Sequence, residues 1–396
     1  MLIVNPNNRI RTVKPDLPAI EPPLWAGLIS SYHDAQILDA EAEDFGIEST
    51  VLAIRMSMQR DIMIVVMGNN PSVSSTPKMP VAEALADRIK DLNVSFTGLH
   101  PIAVNYDKYP LVREPFKGFP MQPWDKLPMH LYRAHMWHCL DGSSRSGYAS
   151  VYTSLGCPFS CYYCNIHTLY GDRKVRFRPI PDIISEFEKL FVLGVRNVKI
   201  WDELFALDEK RVSTICKILE GSNFNIWAYA RLDTITQPML KAMKKAGINW
   251  LAYGFESVND PKFVKETEDK VKMTKDAGIA IIANFMFGLP GTTEDDDKAS
   301  LGFAMRNLFE FVNFYDAMPY PGSQWYEDNA IYHANAAQYA IQKDWKIFGQ
   351  YEHMDGFKQA AFETYFSNPA YLSMISKKWG SQAERQIKEM IAWKPK

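Results

Sequence analysis

The sequence predicts an α/β chain with two successive parallel sheets: a short doubly wound sheet, then a partial (β/α)6 barrel, then a helical tail. Three observations predict this. Short apolar runs alternate with amphipathic stretches of helical period. The turns that follow those runs are rich in Gly, Asn and Ser, as at strand ends in α/β proteins. No solenoid-type repeat competes with that pattern. Four segments follow: 1–105, a connector at 106–147, the barrel at 148–325, and the tail at 326–396.

In the first segment, residues 2–4 form an apolar run ending at Asn5-Pro-Asn-Asn8, and 24–32 is weakly helical. Residues 35–38 give a second strand, followed by the acidic Asp39-Ala-Glu-Ala-Glu-Asp44. Residues 61–67 give a third, ending at Gly68-Asn-Asn-Pro71. An amphipathic helix at 81–91 leads to a fourth strand at 94–97, ending at Gly98-Leu-His-Pro101. Ligands of such sheets bind at the carboxyl ends of the strands.

The connector is rich in Pro, aromatics and His, so it reads as ordered chain and not as a disordered linker. In the third segment, strands are expected at 149–153, 197–201, 225–230, 250–255, 279–287 and 312–318. Helices are expected at 182–193, 208–220, 237–246 and 294–309. Six such units make a partial barrel whose function belongs at the strand C-termini. The tail is mostly helical, with Trp345, Tyr351, Phe362 and Tyr365 as anchors.

A length of 396 residues fits two or three domains, and 47% hydrophobic with 23% charged residues is ordinary for a globular core. A net charge of −2 gives no electrostatic reason for a nucleic-acid or anionic-membrane partner. No apolar run reaches the ~18 residues a membrane span needs, and the N-terminus reads as a buried strand instead of a signal peptide. A cytoplasmic location is the expectation. Five cysteines are too few for a disulfide scaffold, and three of them crowd into Cys157–Cys164. In a reducing compartment that points to metal or catalysis.

The sequence Gly156-Cys157-Pro-Phe-Ser-Cys161-Tyr-Tyr-Cys164-Asn follows the first barrel strand. Three thiolates can hold three irons of a cubane, which leaves the fourth iron without a protein ligand, the open position that catalysis requires. Zinc with His167 as a fourth ligand, and buried unliganded thiols, are the alternatives.

The CxxxCxxC spacing, with Tyr163 before the last cysteine, resembles the signature of the radical S-adenosylmethionine (SAM) superfamily. The resemblance implies a [4Fe–4S] cluster on Cys157, Cys161 and Cys164, with SAM as cofactor and Tyr163 near the adenine. It also implies an external electron donor of flavodoxin or ferredoxin type. Trp201-Asp-Glu203 stands where the family contacts the methionine amine, so Glu203 and Asp202 are implied there; an acidic helix-capping pair is the alternative. Tyr229 and Arg231 end the third strand. Arg231 is matched to the methionine carboxylate, which guanidinium pairs bidentately, with a structural ion pair as the rival. Gly254-Phe-Glu256-Ser257 resembles the family's ribose- and amine-binding segment, against a solvated strand end. Gly288-Leu-Pro-Gly291 resembles the turn beneath the adenine. The interval between Glu256 and Ala277 leaves less room than usual for the fourth helix.

Residues 1–105 resemble the Rossmann-like cobalamin-binding domain that precedes many such barrels. The likeness is carried by the acidic segment 37–43, the hydroxyl-rich turn with Ser72, Ser74, Ser75 and Thr76, and the turn with Gly98 and His100. It implies cobalamin near those residues. The Asp-x-His-x-x-Gly motif that supplies a cobalt ligand elsewhere is absent, and no fifth strand is evident. A domain that only packs on the barrel, with His100 stabilising its own turn, is the alternative.

The connector from Pro123 to Cys139 resembles that of enzymes related to the anaerobic magnesium-protoporphyrin ester cyclase group. Cys139 and Cys216 read as packing thiols, Cys139 being the one to test for chemistry. Trp124, Trp137, Tyr320 and Trp325 are either core or pocket wall, and Tyr320-Pro-Gly-Ser323 is a candidate substrate loop. The implied activity is cobalamin-dependent radical methylation of an unactivated carbon in a small molecule. The rivals are a cyclase, hydroxylase or rearrangement on the same cofactors, and a non-catalytic iron–sulfur protein.

Overall fold

The computed structural model describes residues 1–9, 18–258, 261–328 and 356–391. Four strands, β1 (Leu2–Asn5), β2 (Gln36–Asp39), β3 (Asp61–Val65) and β4 (Asn93–Thr97), form a parallel sheet in the order β2-β1-β3-β4. Alternation along β1 and β3 explains why both faces are covered. Ile3, Met63 and Val65 pack with helix Leu24–Tyr32 on one side. Leu2, Val4, Ile62 and Ile64 pack on the other, with helices Ile47–Met56 and Met79–Arg88. The sequence gives little sign of Ile47–Met56, because it buries only Thr50 and Ile54 and exposes Leu52 and Met56.

The second sheet begins at β5 (Tyr148–Val151). An antiparallel pair, β6 (Ser154–Leu155) and β7 (Arg176–Phe177), brackets the cysteine loop. Then come β8 (Asn197–Ile200), β9 (Asn225–Ala230), β10 (Ile248–Glu256), β11 (Ala280–Phe287) and β12 (Phe311–Asp316). The order β12-β11-β10-β9-β8-β5 is parallel throughout, with β5 and β12 as its two edges. Three of its helices start on side-chain caps: Asp208 accepts from Arg211 N, Thr236 from Met239 N, and Thr293 with Asp296 forms a reciprocal capping box. The interval after β10 holds the fourth helix, Pro261–Asp276, of 16 residues.

The connector ties the two sheets together. Tyr132 donates to Asp39 Oδ2 (2.8 Å), and Trp124 Nε1 donates to Glu186 Oε1 (3.0 Å). Trp124 and Trp137 are core and not pocket wall; Trp137 packs among Trp227, Trp250 and Phe311 inside the barrel sheet. Tail helices Phe357–Phe366, Pro369–Trp379 and Ser381–Ile391 cover the β12 side, where Tyr365 donates to Phe309 O (2.6 Å) and Tyr371 to Glu310 O (3.1 Å). Trp345 and Tyr351 lie outside the described residues. Among the described residues no helix is long and apolar enough to cross a membrane.

Candidate cofactor and active site

The carboxyl ends of the barrel strands and of β3 face one cavity of 470 Å³. Cys157, Cys161 and Cys164 all border it, and none is in a disulfide. Their loop leaves β6 at Gly156, whose φ of +91° and whose ideal Cβ, 2.3 Å from Lys174 O, admit only glycine. Gly156 N donates to Glu203 Oε2 (2.9 Å), which fixes the loop's root to the end of β8. Burial pushes the Cys157 thiol up and the Cys164 thiol to about 12, so a metal must displace their protons.

The donor set fits an iron–sulfur cubane. Each of three irons takes one thiolate, so the sulfurs need to surround a cluster and not converge on one ion. Among the described residues no three His, Cys, Asp or Glu side chains are grouped as a single-ion site. His167, the zinc candidate, has both ring nitrogens on backbone oxygens, those of Phe159 and Asp172. Trp201, 3% exposed, borders the cavity, and its own Nε1–H is buried without a hydrogen-bond partner among the described residues. A buried donor of that kind is costly unless something accepts from it.

The acidic residues divide by role. Asp202 is committed to structure, accepting from Thr153 N and Oγ1 (2.5 Å each) and from Ser154 Oγ (2.7 Å). Glu203 accepts from Tyr170 OH (2.7 Å) as well as from Gly156, and burial raises its carboxyl to about 7. Glu256 sits at a register shift between β10 and β11, with φ +57°. Such bulges re-aim side chains at functional sites. Its carboxylate folds back over Gly254, where a Cβ would lie 2.4 Å from Oε1, and accepts from the Tyr163 hydroxyl. Burial brings Glu256, too, to about 7.

Arg231 forms a two-point ion pair with Asp233 (2.9 and 2.7 Å), lies over the Phe159 ring at 4.0 Å, and points Nη1 at Cys161 Sγ (3.8 Å). The structural ion pair is therefore present, and one guanidinium nitrogen still faces the thiol. Tyr229 borders the cavity. Ser257 and Gly288 do not: the Ser257 hydroxyl is buried without a partner among the described residues, and Gly288 N donates to both Asp297 oxygens (3.2 and 3.1 Å).

The N-terminal residues are arranged differently from expectation. The hydroxyl-rich turn is a short helix, Pro71–Ser75, followed by Thr76, and its hydroxyls are bonded within the protein. Ser74 Oγ donates to Asn70 O (2.6 Å), Ser75 Oγ accepts from Gly68 N (3.1 Å), and Thr76 Oγ1 bonds His100 Nδ1 (3.0 Å). His100 is buried, which depresses its imidazole to about 4. Gly98, at φ +112°, presses against Val66 O. Of this group only Ser72 borders the cavity, with its hydroxyl on Asn165 Oδ1 (2.7 Å).

Sequence reasoning missed Asn69, Asn70, Phe159, Trp201, Asn284 and Tyr315 as residues at this site, Asn165 as the partner of Ser72, and Tyr170 as the partner of Glu203. Position at the end of an apolar run could have flagged Asn69, Asn70 and Tyr315. Beneath the cavity, Lys199 Nζ donates to Asn69 O (2.7 Å) and Glu21 Oε2 (2.9 Å). Burial acts to raise the Glu21 carboxyl, but Lys199 and His135 beside it bring it down to about 2.

Residues 151–304 match the family model described as the Radical SAM superfamily. An uncharacterized methyltransferase of Pyrococcus horikoshii is 25% identical over 76% of this chain and 76% of its own length. The bacteriochlorophyllide d C-12(1)-methyltransferase of Chlorobaculum tepidum is 25% identical over 52% of this chain and 53% of that protein, about half of it. Among solved structures, the radical S-adenosylmethionine methyltransferase TsrM from Kitasatospora setae, with cobalamin and a [4Fe–4S] cluster bound, has the same fold. It matches with a TM-score of 0.58 over 82% of this chain and 73% of that one, at 15% identity. The part of the barrel that carries the cysteine loop, residues 151–304, is a radical SAM domain.

Proposed function

We propose that this chain is a radical SAM enzyme, a cobalamin-dependent methyltransferase that acts on an unactivated carbon of a small molecule. One observation carries the reading: three free thiols, two carboxyls raised by burial and Arg231 share a cavity whose far wall is the carboxyl edge of a second parallel sheet. A cluster held by Cys157, Cys161 and Cys164 would supply the electron for reductive cleavage of SAM, and a cobalamin would supply a transferable methyl group.

The chain's part is to bind, orient and exclude water. Cys157, Cys161 and Cys164 would hold the cluster. Glu203 and Glu256 are placed to receive the SAM ammonium, whose charge favours their ionised form. Arg231 keeps one nitrogen on the cysteine-loop side, and its salt bridge with Asp233 fixes that orientation. Tyr163 sits on Glu256 and orients it. A corrin fits by place: Asn69–Val73 ends β3 at the sheet edge where ligands of such folds bind. The hydroxyls of Ser74, Ser75 and Thr76 do not contribute to that fit.

The division at 105, 147 and 325 belongs to this reading, as do a small-molecule substrate, an external low-potential electron donor and a reducing, cytoplasmic setting. The test is anaerobic reconstitution with iron, sulfide and cobalamin, then strong reductant and SAM. Formation of S-adenosylhomocysteine together with 5′-deoxyadenosine supports methyl transfer. The latter alone supports a non-methylating radical reaction, and intact SAM refutes the enzyme reading.

A further inference from the structure

Asn165 directly follows Cys164 and is 2% exposed. Its amide is shared between two distant segments. Oδ1 accepts from Ser72 Oγ (2.7 Å), on the loop after β3, and Nδ2 donates to Pro321 O (2.9 Å), on the loop after β12. Both segments wall the cavity that the cysteines border, through Ser72 and Tyr320.

Neighbouring contacts reinforce the same junction. Thr168 Oγ1 donates to Gly322 O (3.0 Å), and Trp325 N donates to Tyr162 O (3.0 Å), with the Tyr162 and Trp325 rings stacked at 6.5 Å. Gly322 has φ +85°, and a Cβ there would fall 2.4 Å from Thr168 Oγ1, so the approach is as close as a backbone allows. Among the described residues of this junction, Asn165 alone bonds both walls. A carboxylate in its place would lose the donor to Pro321, and an alkyl chain would lose both bonds.

We propose that Asn165 is a positioning residue that couples the seating of the cysteine loop to the placement of the 69–73 and 320–323 loops, so that cofactor loading and closure of the substrate end are one event. A buried amide with two partners holds them only in one relative position; displacing the cysteine loop strains or breaks both bonds together. The proposal rests on the radical SAM reading for the identity of what the cysteine loop loads.

The test is amide hydrogen exchange on the full chain, with and without anaerobic loading of iron and sulfide, followed by SAM. In the wild type, loading is expected to slow exchange across 69–75 and 320–326 by about fivefold or more. In Asn165→Ala, iron content is expected to stay at the wild-type level while the slowing disappears from both segments. Ser72→Ala is expected to lose it in 69–75 only. An Asn165→Ala chain that binds iron and still protects both loops overturns the proposal, as does a loaded wild type in which neither loop changes. Should Asn165→Ala fail to take up iron, Ser72→Ala decides, and unchanged protection of 69–75 in it overturns the coupling. A wild type that takes up no iron overturns the radical SAM reading, and the proposal with it.

Discussion

The barrel rim and the hydroxyl-rich segment after β3 are both motif-bearing and polar, yet they use their polar groups in opposite ways. On the rim, Glu203 and Glu256 stand half-buried at the cavity wall with carboxyls raised to about 7. After β3, Ser74 and Ser75 are bonded within their own turn, Thr76 bonds His100 on the turn after β4, and His100 is held neutral by burial. The rim holds ionisable groups at the wall of a cavity; the turn keeps those hydroxyls away from it. A motif residue marks a ligand site only when the fold leaves it facing open space.

That contrast can be broken most decisively at the cysteines. Cys161→Ser is expected to abolish cluster assembly, seen as loss of iron and of the visible absorption, and to cut SAM cleavage by on the order of a thousandfold or more. Retention of both would end the distinction. Next in size, Glu203→Gln and Glu256→Gln should keep iron but weaken SAM binding by roughly tenfold to a hundredfold, the size of a lost hydrogen bond to a charged group. Equilibrium binding of SAM to the loaded variants checks it.

The opposite region predicts stability effects instead. The His100 imidazole titrates at about 4 when folded and at the ordinary 6.5 when unfolded, so the unfolded chain binds the extra proton between those values. Stability is therefore full above 6.5 and lost as pH falls toward 4, by on the order of 3 kcal/mol for this group. His100→Gln should flatten that slope in denaturant titrations at stepped pH; His138, likewise depressed by burial to about 3, leaves a residual dependence of the same sign. The smallest effect is expected for Ser75→Ala, which removes the acceptor of Gly68 N–H. It should cost about 1 kcal/mol and leave SAM cleavage by the loaded enzyme unchanged; a loss of cobalamin binding in it would show that this hydroxyl serves a ligand after all.

Much of the site was legible because it is written at the ends of apolar runs. Glu203, Arg231 and Glu256 each follow a buried strand, and a polar residue there must lie at the sheet's carboxyl edge. The cysteine spacing is local and needs no fold to be read. Helix Ile47–Met56 was not legible, since its apolar face is two residues wide. Trp345 and Tyr351 lie outside the described residues, so their role as anchors is open to test by substitution.

By itself the sequence determined the two parallel sheets, the order of their strands, several of the helices and the thiol loop, because strand alternation, caps and a contiguous motif are short-range properties. Only the tertiary structure decided which polar groups remain available. Ser72 and Asn165 meet across 93 residues, and Asn165 and Pro321 across 156. Whether a hydroxyl or amide is spent depends on which distant segment docks against it, and that is set by how the sheets pack around the cavity, a long-range outcome no local pattern encodes.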